Sequence, residues 1–437
     1  MHISHLARCW LALVGAGCAT SDAHAHDPMT AEILRADIER ARVPPLDDAA
    51  LAAGGALDRA AVVAAVLAEN PDLDAARAAV RAAVAAVPSA VALDEPMARY
   101  ALAPLSIGSD VRFGQRIEVS QRLPWPGRRA LRGDAARADA EAVAADLEAV
   151  RLELAEAAVQ AFDDDYLAVR ALDINQHHRE LLAQIERSAI AEYAAGRAAE
   201  QDPLEARAHV IELERERLAL ETRRRVAIAA LNRLLHRPAD APLPPPPARL
   251  GPAGAGVPGR EAPPRVAAAA RLRARTAEAA DAAWAGYPSF EVMAGYDAMW
   301  DAWQHRWMIG IGLEIPLARG KRRADQDRAR AAQARATAEL ASISDRLDED
   351  RARARLEIDE ATRALELDEQ QLLPVAHSRS DAALAGFTVG RNPFSAAVMA
   401  EHELRDIELA IEQARVELDR RCAELDRLDG RIPGAAR

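Results

Sequence analysis

The run from Trp307 to Ile315 alternates without a break. Trp307, Ile309, Ile311, Leu313 and Ile315 fall on one side of an extended chain, and Met308, Gly310, Gly312 and Glu314 on the other. A period of two predicts a strand with one apolar and one polar face. The same pattern stands just upstream, where Phe290, Val292, Ala294 and Tyr296 alternate with Glu291, Met293, Gly295 and Asp297. The chain is expected to turn around Trp300 to Gln304. Far earlier, Val111, Phe113, Ile117, Val119 and Leu123 alternate with Arg112, Gly114, Arg116, Glu118, Ser120 and Arg122. A weaker strand is expected near Pro96 to Ala103.

Elsewhere the period is helical. No Gly or Pro interrupts Asp134 to Ala195, or Lys321 to Leu373. Apolar spacing supports helix at Leu152, Leu154, Val159 and Phe162, and again at Leu404, Ile407, Ile411, Val416 and Leu418. Runs of about 60 residues make rods of roughly 90–100 Å. Pro374 is expected to kink the second rod. Gly196 and Gly390 sit where each rod turns back, and returning helices are expected from about 203 to 236 and from about 393 to 428. A helix is expected over LDRAAVVAAVLAENPDLDAARAAVRAAVAAV, and another over RVAAAARLRARTAEAADAAWA.

These elements come twice. QRLPWPGRRALRGDAARADAE, from Gln121, reads like LEIPLARGKRRADQDRARAAQ, from Leu313. Pro124 matches Pro316 at an offset of 192, Gly127 matches Gly320 at 193, and YAAGR matches FTVGR at 194. Landmarks spread over about seventy residues with so constant an offset imply a duplication. The expected organisation is a leader over 1–25, a first repeat over 26–236, a connector over 237–264 and a second repeat over 265–430. The first repeat would hold strands within about 96–123 and helices within about 127–236; the second, strands within about 288–317 and helices within about 320–428. The connector is dense in Pro and Gly and excludes regular structure.

Composition sharpens the picture. Aromatic residues are only 4% of the 437 and charged residues 28%, a balance that suits long helices better than an aromatic core. The net charge of -12 gives no basic surface for nucleic acid. Of three cysteines only Cys422 lies in the body of the chain, so a disulfide framework or a Cys-based zinc site is excluded. The N-terminus reads as an export signal, with Arg8 before the apolar run Cys9 to Val14. Two cleavage readings compete: Ala23-His24-Ala25 as an ordinary signal site, or Gly15-Ala16-Gly17-Cys18 as a lipoprotein box (signal 1–17) with Cys18 lipidated. The second departs from the lipoprotein pattern at its first position, where Leu is usual.

Four strands cannot close a barrel alone, and open sheet edges are not tolerated in lipid. If this chain enters a membrane, other copies must complete its sheet. Apolar-out, polar-in alternation suits a lipid-embedded barrel with a wet lumen. Trp300, Trp303 and Trp307, with Trp284, Tyr287, Phe290 and Tyr296 beside them, read as an aromatic girdle. Met293, Met299 and Met308 are taken as part of that aromatic packing rather than as soft-metal ligands. His177 and His178 read as solvated helix face, and His377 and His402 as isolated. No catalytic constellation, cofactor motif, metal-ligand cluster or nucleotide site is apparent, so an enzyme is not expected.

The ordered, duplicated set of ENPDL (Glu69 to Leu73), SQRLPWPGRR, LEIPLARGKRR, LLPVA (Leu372 to Ala376) and the two Y/F-x-x-G-R turns resembles the TolC-type outer membrane factors of Gram-negative bacteria. LPWPG followed by RGDAA looks most like the branch that includes heavy-metal efflux channels. The resemblance covers about Leu57 to Leu428. It implies a mainly helical fold with four strands per chain, completing a twelve-stranded barrel in a homotrimer in the outer membrane. A helical coiled-coil tunnel would extend into the periplasm. It implies a passive exit duct for small molecules or metal ions in a tripartite efflux system. The partners would be outer membrane lipid, a periplasmic adaptor and an inner-membrane pump of the RND type. By match, Tyr193, Gly196, Arg197, Phe387, Gly390, Arg391 and Asn392 form the tip turns that dock the adaptor. Pro124, Gly127, Pro316 and Gly320 mark the passage from barrel to tunnel.

Family members often carry acidic residues after the second-half turn, lining the aperture. Here the matching positions are Ala396 and Met399, whereas the first half has Asp202 and Glu205. Asp202 also suits a helix cap before Pro203. Two other readings stand: the same duct serving type I protein secretion, and a periplasmic adaptor or coiled-coil scaffold. Duplicated amphipathic strand pairs speak against the last.

Overall fold

The computed structural model describes residues 52–53, 55–105, 112–196, 199–251, 261–300 and 303–434. The leader readings, Cys18, Val111 and Arg197 lie outside the described residues. The chain divides into two units, and several long helices pass from one to the other.

The first unit comprises residues 76–147 and 264–344, with an N-terminal stretch outside the described residues. Its centre is one antiparallel sheet in simple sequence order. Strand β3 (Met97–Leu105) pairs with β4 (Arg112–Leu123), β4 with β5 (Ser289–Asp297), and β5 with β6 (Trp307–Glu314). The register aligns the sequence pattern across all four strands. Tyr100, Ile117, Tyr296 and Trp307 form one row, and Gln121, Val292 and Ile311 form another on the same face. On the opposite face Arg99, Glu118, Gly295 and Met308 line up. A slip of one residue would exchange the two faces, so the alternation fixes the register.

Helix α3 (Arg128–Ala194) leaves the sheet after β4, and α6 (Arg319–Leu367) leaves it after β6. Both start in this unit, beside α5 (Pro263–Trp284). Asp281 accepts a two-pronged hydrogen bond from Arg128, at 2.8 and 3.0 Å, and further ion pairs tie Arg275 to Asp139 and Arg273 to Glu141.

The second unit comprises residues 41–75, 148–263 and 345–437. It holds a two-residue hairpin of β1 (Ala52–Ala53) and β2 (Ala56–Leu57), helix α1 (Arg59–Glu69) and the start of α2 (Pro71–Val91). The rest of α3 and α6 belongs here, with α4 (Gln201–Leu234), α7 (Leu373–Thr388) and α8 (Phe394–Leu428).

One feature differs from the sequence expectation, and a second gives the form of the irregularity expected at Pro374. The N-terminal helix is split at Asn70, which is extended at φ -74°, ψ 124°, because a residue before proline avoids the helical region. Its side chain stabilises the break: Nδ2 donates to Leu234 O at 3.0 Å, and Oδ1 accepts from Asp72 N at 2.9 Å. The rod before Pro374 passes through a π-helical turn, Asp368–Leu372, and α7 then begins with the proline in its first turn. The wider turn accommodates a ring that lacks an N–H and would otherwise clash with the carbonyl four residues back. Among the described residues, no helix is long and apolar enough to cross a membrane.

Candidate channel wall and tip turns

The sheet has two chemically opposite faces. On the apolar face Ile309 is 81% exposed and Ile311 78%, and Tyr100, Leu102, Ile117 and Leu313 are also exposed. Contiguous apolar exposure of this kind marks an interaction surface. The other face carries cross-strand charge pairs. Arg116 donates to Asp297 from both Nε and Nη2, at 3.0 and 2.7 Å; Arg99 pairs with Glu118 at 3.5 Å and Arg122 with Glu314 at 3.7 Å.

Aromatic rings collect at both ends of the apolar face rather than in one girdle. At one end Tyr296 meets Trp307 edge-on at 5.2 Å, with Trp300 against His305 and Trp303 exposed nearby. At the other, Trp125 stacks on Tyr287 at 5.0 Å and on Phe290 at 5.6 Å, and Trp284 meets Tyr287. Phe290 and Tyr296 are six residues apart on β5, or about 20 Å at strand rise. A lipid-facing band between aromatic girdles is about 25 Å tall.

The methionines lie on the polar side that the alternation predicts, and not in the aromatic packing expected of Met293, Met299 and Met308. The register puts Met97, Met293 and Met308 on the charged face, opposite the aromatic rings. Met299 lies over Gly114 on that same face, so aromatic packing does not explain the four. Periodicity alone held this signal, since Met293 and Met308 alternate with the apolar set.

At the strand-to-helix passages Pro124 and Pro316 fall between strand and helix, as expected. Gly127 has φ +92° and makes the turn into α3. Gly320 does not play the same part: it sits in the first turn of α6 without a left-handed backbone, and Arg322 closes that passage by donating to Pro316 O.

The turns at Gly196 and Gly390 belong to the second unit. Gly196 and Gly390 both adopt left-handed backbone, φ +70° and +69°. Gly196 N donates to Tyr193 O at 2.9 Å and Gly390 N to Phe387 O at 3.0 Å. Tyr193 and Arg391 are exposed. Phe387 is not: its ring packs edge-on against Phe394 at 5.7 Å, among Leu182, Ile185 and Leu213. It supports the turn from beneath rather than offering a contact surface. Asn392 seals the turn, with its side chain against Gly386 and donating to Ala383 O. Nothing crowds the position of a Cβ at Gly390. Gly390→Ala is therefore expected to cost about 1–2 kcal/mol through the left-handed backbone alone, and Gly390→Asn much less. Thermal melts of the two variants check this.

Asp202 is not a helix cap. Helix α4 begins at Gln201, the cap position is Glu200 without a side-chain bond, and Asp202 lies in the first turn, where the helix dipole favours it. Glu205 is exposed and lies 4.0 Å from His209.

His177 is exposed, as expected, whereas three other histidines depart from the sequence reading. His178 is 1% exposed. Its Nδ1 lies 2.5 Å from Glu401 Oε1 and its Nε2 3.0 Å from Glu408 Oε2, so the doubly protonated ring donates to both carboxylates. Ser380 donates to the second oxygen of Glu401 at 3.1 Å, and His377 stands 3.6 Å from Glu408. His402 meets His209 edge-on at 4.6 Å, so neither His377 nor His402 is isolated. Burial depresses the His178 imidazole, but the bonds to Glu401 and Glu408 outweigh it and push it up to about 9. Glu401, Glu412, Asp419 and Asp426 are buried along α8. Carboxylates among core positions demand cationic partners on facing helices.

Residues 263–431 match the model of the outer membrane efflux protein family. Among solved structures, the chain is similar to CusC (TM-score 0.74, 18% identity), with 85% of this chain and 92% of that chain covered. It is similar to the outer-membrane channel OprN (0.74, 22%), with 90% and 95% covered. It is also similar to the outer membrane protein VceC of Vibrio cholerae (0.73, 17%), with 85% and 95% covered. No curated protein sequence matches the chain. The chain as a whole thus has the fold of the outer-membrane channels it resembles, with a match to the outer membrane efflux protein family over residues 263–431.

Proposed function

We propose that this protein is the outer membrane channel of an efflux system. Three copies would close their sheets into a twelve-stranded barrel, with the apolar face toward lipid and the charged face toward a water-filled lumen. The observation that carries this reading is the exposed apolar face of the sheet, bounded at both ends by aromatic rings. Such a face is costly in water and suited to a bilayer. The free edges of β3 and β6 support completion by other copies, because lipid cannot satisfy their backbone groups.

Transport would be passive diffusion, and the substrate would be small molecules or metal ions. A periplasmic adaptor would dock at the turns around Tyr193, Gly196, Arg391 and Asn392, and an inner-membrane pump of the RND type would supply energy. Asp202 and Glu205 would place acidic charge near the aperture. The two-repeat organisation, with a connector over 237–264, would supply two helix hairpins per copy.

Two experiments test the reading. Reconstituted in a planar bilayer, the purified protein is expected to give ohmic conductance steps; their absence from a correctly inserted protein would contradict a channel. On the sheet, Ile311→Arg is expected to cost about 2–4 kcal/mol if it lies near the bilayer midplane. Met308→Arg, on the opposite face, is expected to insert normally. Recovery of each variant in the outer membrane fraction checks the pair.

A further inference from the structure

We propose that Arg319, Lys321 and Arg323 bind the phosphate groups of anionic phospholipid where the sheet gives way to helix α6. The three begin α6, directly after the exposed apolar residues Ile315 and Leu317, which are 61% and 83% exposed. All three cations are exposed, and among the described residues none of their side chains has a hydrogen bond or an ion pair.

The duplicated passage shows the contrast. At the start of α3, Arg128 and Arg132 pair with Asp281 at 2.8 and 3.6 Å, and Arg129 donates to Val91 O at 2.7 Å. At the start of α6 the nearby carboxylates are already engaged. Glu314 pairs with Arg122 at 3.7 Å, Asp325 with Arg328 at 3.4 Å and Asp327 with Arg330 at 3.7 Å. Nothing within the helix favours three cations there. Its first turn has no acidic residue, and a helix N-terminus carries partial positive charge that repels them. Arg319 and Arg323 stand four apart, so like charges also neighbour each other along the helix. The chain supplies no counter-charge, so the anion comes from outside it.

The surroundings select the anion. Gln326 donates to Ala282 O at 3.3 Å, which holds the start of α6 beside the end of α5. There Trp284 meets Tyr287, and Tyr287 stacks on Trp125. The cations therefore stand at one aromatic end of the apolar face. Amphipathic rings and cations on long alkyl stems both suit the level of lipid headgroups, with Ile315 and Leu317 on the acyl side. Guanidinium groups match phosphate oxygens two at a time. Each cation near an anionic lipid surface is worth roughly fivefold in affinity, so three give roughly 100-fold.

The placing of these residues at a membrane boundary rests on the channel reading; the headgroup preference is measured without it. The test uses the purified protein in a non-ionic detergent. Native mass spectrometry compares bound dioleoylphosphatidylglycerol with bound dioleoylphosphatidylcholine. The wild type is expected to prefer the anionic lipid by about tenfold or more, and less so as salt is raised. An excess of inorganic phosphate, at matched ionic strength, is expected to leave the lipid bound. Arg319→Gln/Lys321→Gln/Arg323→Gln is expected to lose most of the preference without a lower thermal midpoint, because these cations oppose the helix dipole. Arg328→Gln/Arg330→Gln/Arg335→Gln, an equal charge change at paired positions along α6, is expected to keep it. Equal binding of the two lipids by the wild type overturns the site, as does displacement by phosphate or an equal loss in both triple variants. Dissociation of the oligomer with an undiminished lipid preference would assign the cations to a second copy and also overturn it. The wild-type comparison stands even if a variant fails to fold. Normal bilayer conductance without a lipid preference would reject the site and leave the channel reading intact; a lipid preference without conductance would do the reverse.

Discussion

Replacing His178 with Ala is expected to destabilise the helical unit by about 3–5 kcal/mol, because removing one member of a buried charge group strands the others. Glu401 is buried and would keep only Ser380 as a side-chain donor; Glu408 would keep His377 at 3.6 Å. The group joins α3 to α7 and α8. His178→Gln, which retains an amide donor, is expected to lose less. A fall in the thermal midpoint of under one degree for His178→Ala would show that the contact is not structural.

The same group predicts a pH dependence. The His178 imidazole is raised from 6.5 to about 9 in the folded protein. Its contribution is therefore fully present below about pH 6.5 and is lost as pH rises through about 9. The groups that face it are Glu401 and Glu408 on α8, His377 on α7 and His177 on its own helix. Thermal melts from pH 6 to 10 are expected to fall for the wild type and to be flatter for His178→Gln.

The second large effect is expected at Arg59. Its guanidinium lies 2.5 Å from Asp419 and 3.5 Å from Asp163, and stacks over the Phe162 ring at 5.4 Å. Asp163 is 0% exposed and neither of its oxygens has a hydrogen bond. Arg59→Ala would remove the cation that pairs with two buried carboxylates, leaving only the more weakly acting Arg420, and is expected to cost about 3–5 kcal/mol. It would also free α1 from α3 and α8, so faster hydrogen exchange in residues 59–69 should accompany the loss.

Asp163 responds to pH in its own window. Burial pushes its carboxyl up to about 8; Arg59 opposes this and Asp419 adds to it. A folded value above the ordinary 3.8 gives a contribution fully present below about pH 4 and lost as pH rises through about 8. Asp163→Asn removes that titration and keeps the Arg59–Asp419 pair. This variant is expected to be more stable than the wild type at pH 8 and to lose the advantage near pH 4. Equal stability at both values would contradict the assignment.

Much of the fold was legible because strict alternation survives in short strands. Trp307 to Leu313 and Phe290 to Tyr296 each lie on one face, as their spacing predicts. The long helices were legible because nothing in them breaks a helix. What failed to show in sequence depends on packing between distant segments. His178 sits in a charged stretch, DINQHHRELL, and its burial is decided by α8, more than 200 residues later. Phe387 looked like a turn residue of a docking surface, yet the turn itself folds its ring inward onto Phe394. Gly320 matched Gly127 in sequence, but the second passage closes through Arg322 instead of a left-handed glycine. Period two already separates Met293 and Met308 from the aromatic rings, so nearness in sequence to those rings is no guide to their packing.

The central claim is that copies of this chain complete one another's sheet in a membrane. The most direct measurement is the mass of the protein particle, taken after fractionation of the cell envelope and extraction in detergent. The account predicts recovery in the outer membrane fraction, dependence on detergent, and a protein mass three times that of one mature chain. Recovery as a monomer that remains soluble without detergent would contradict it.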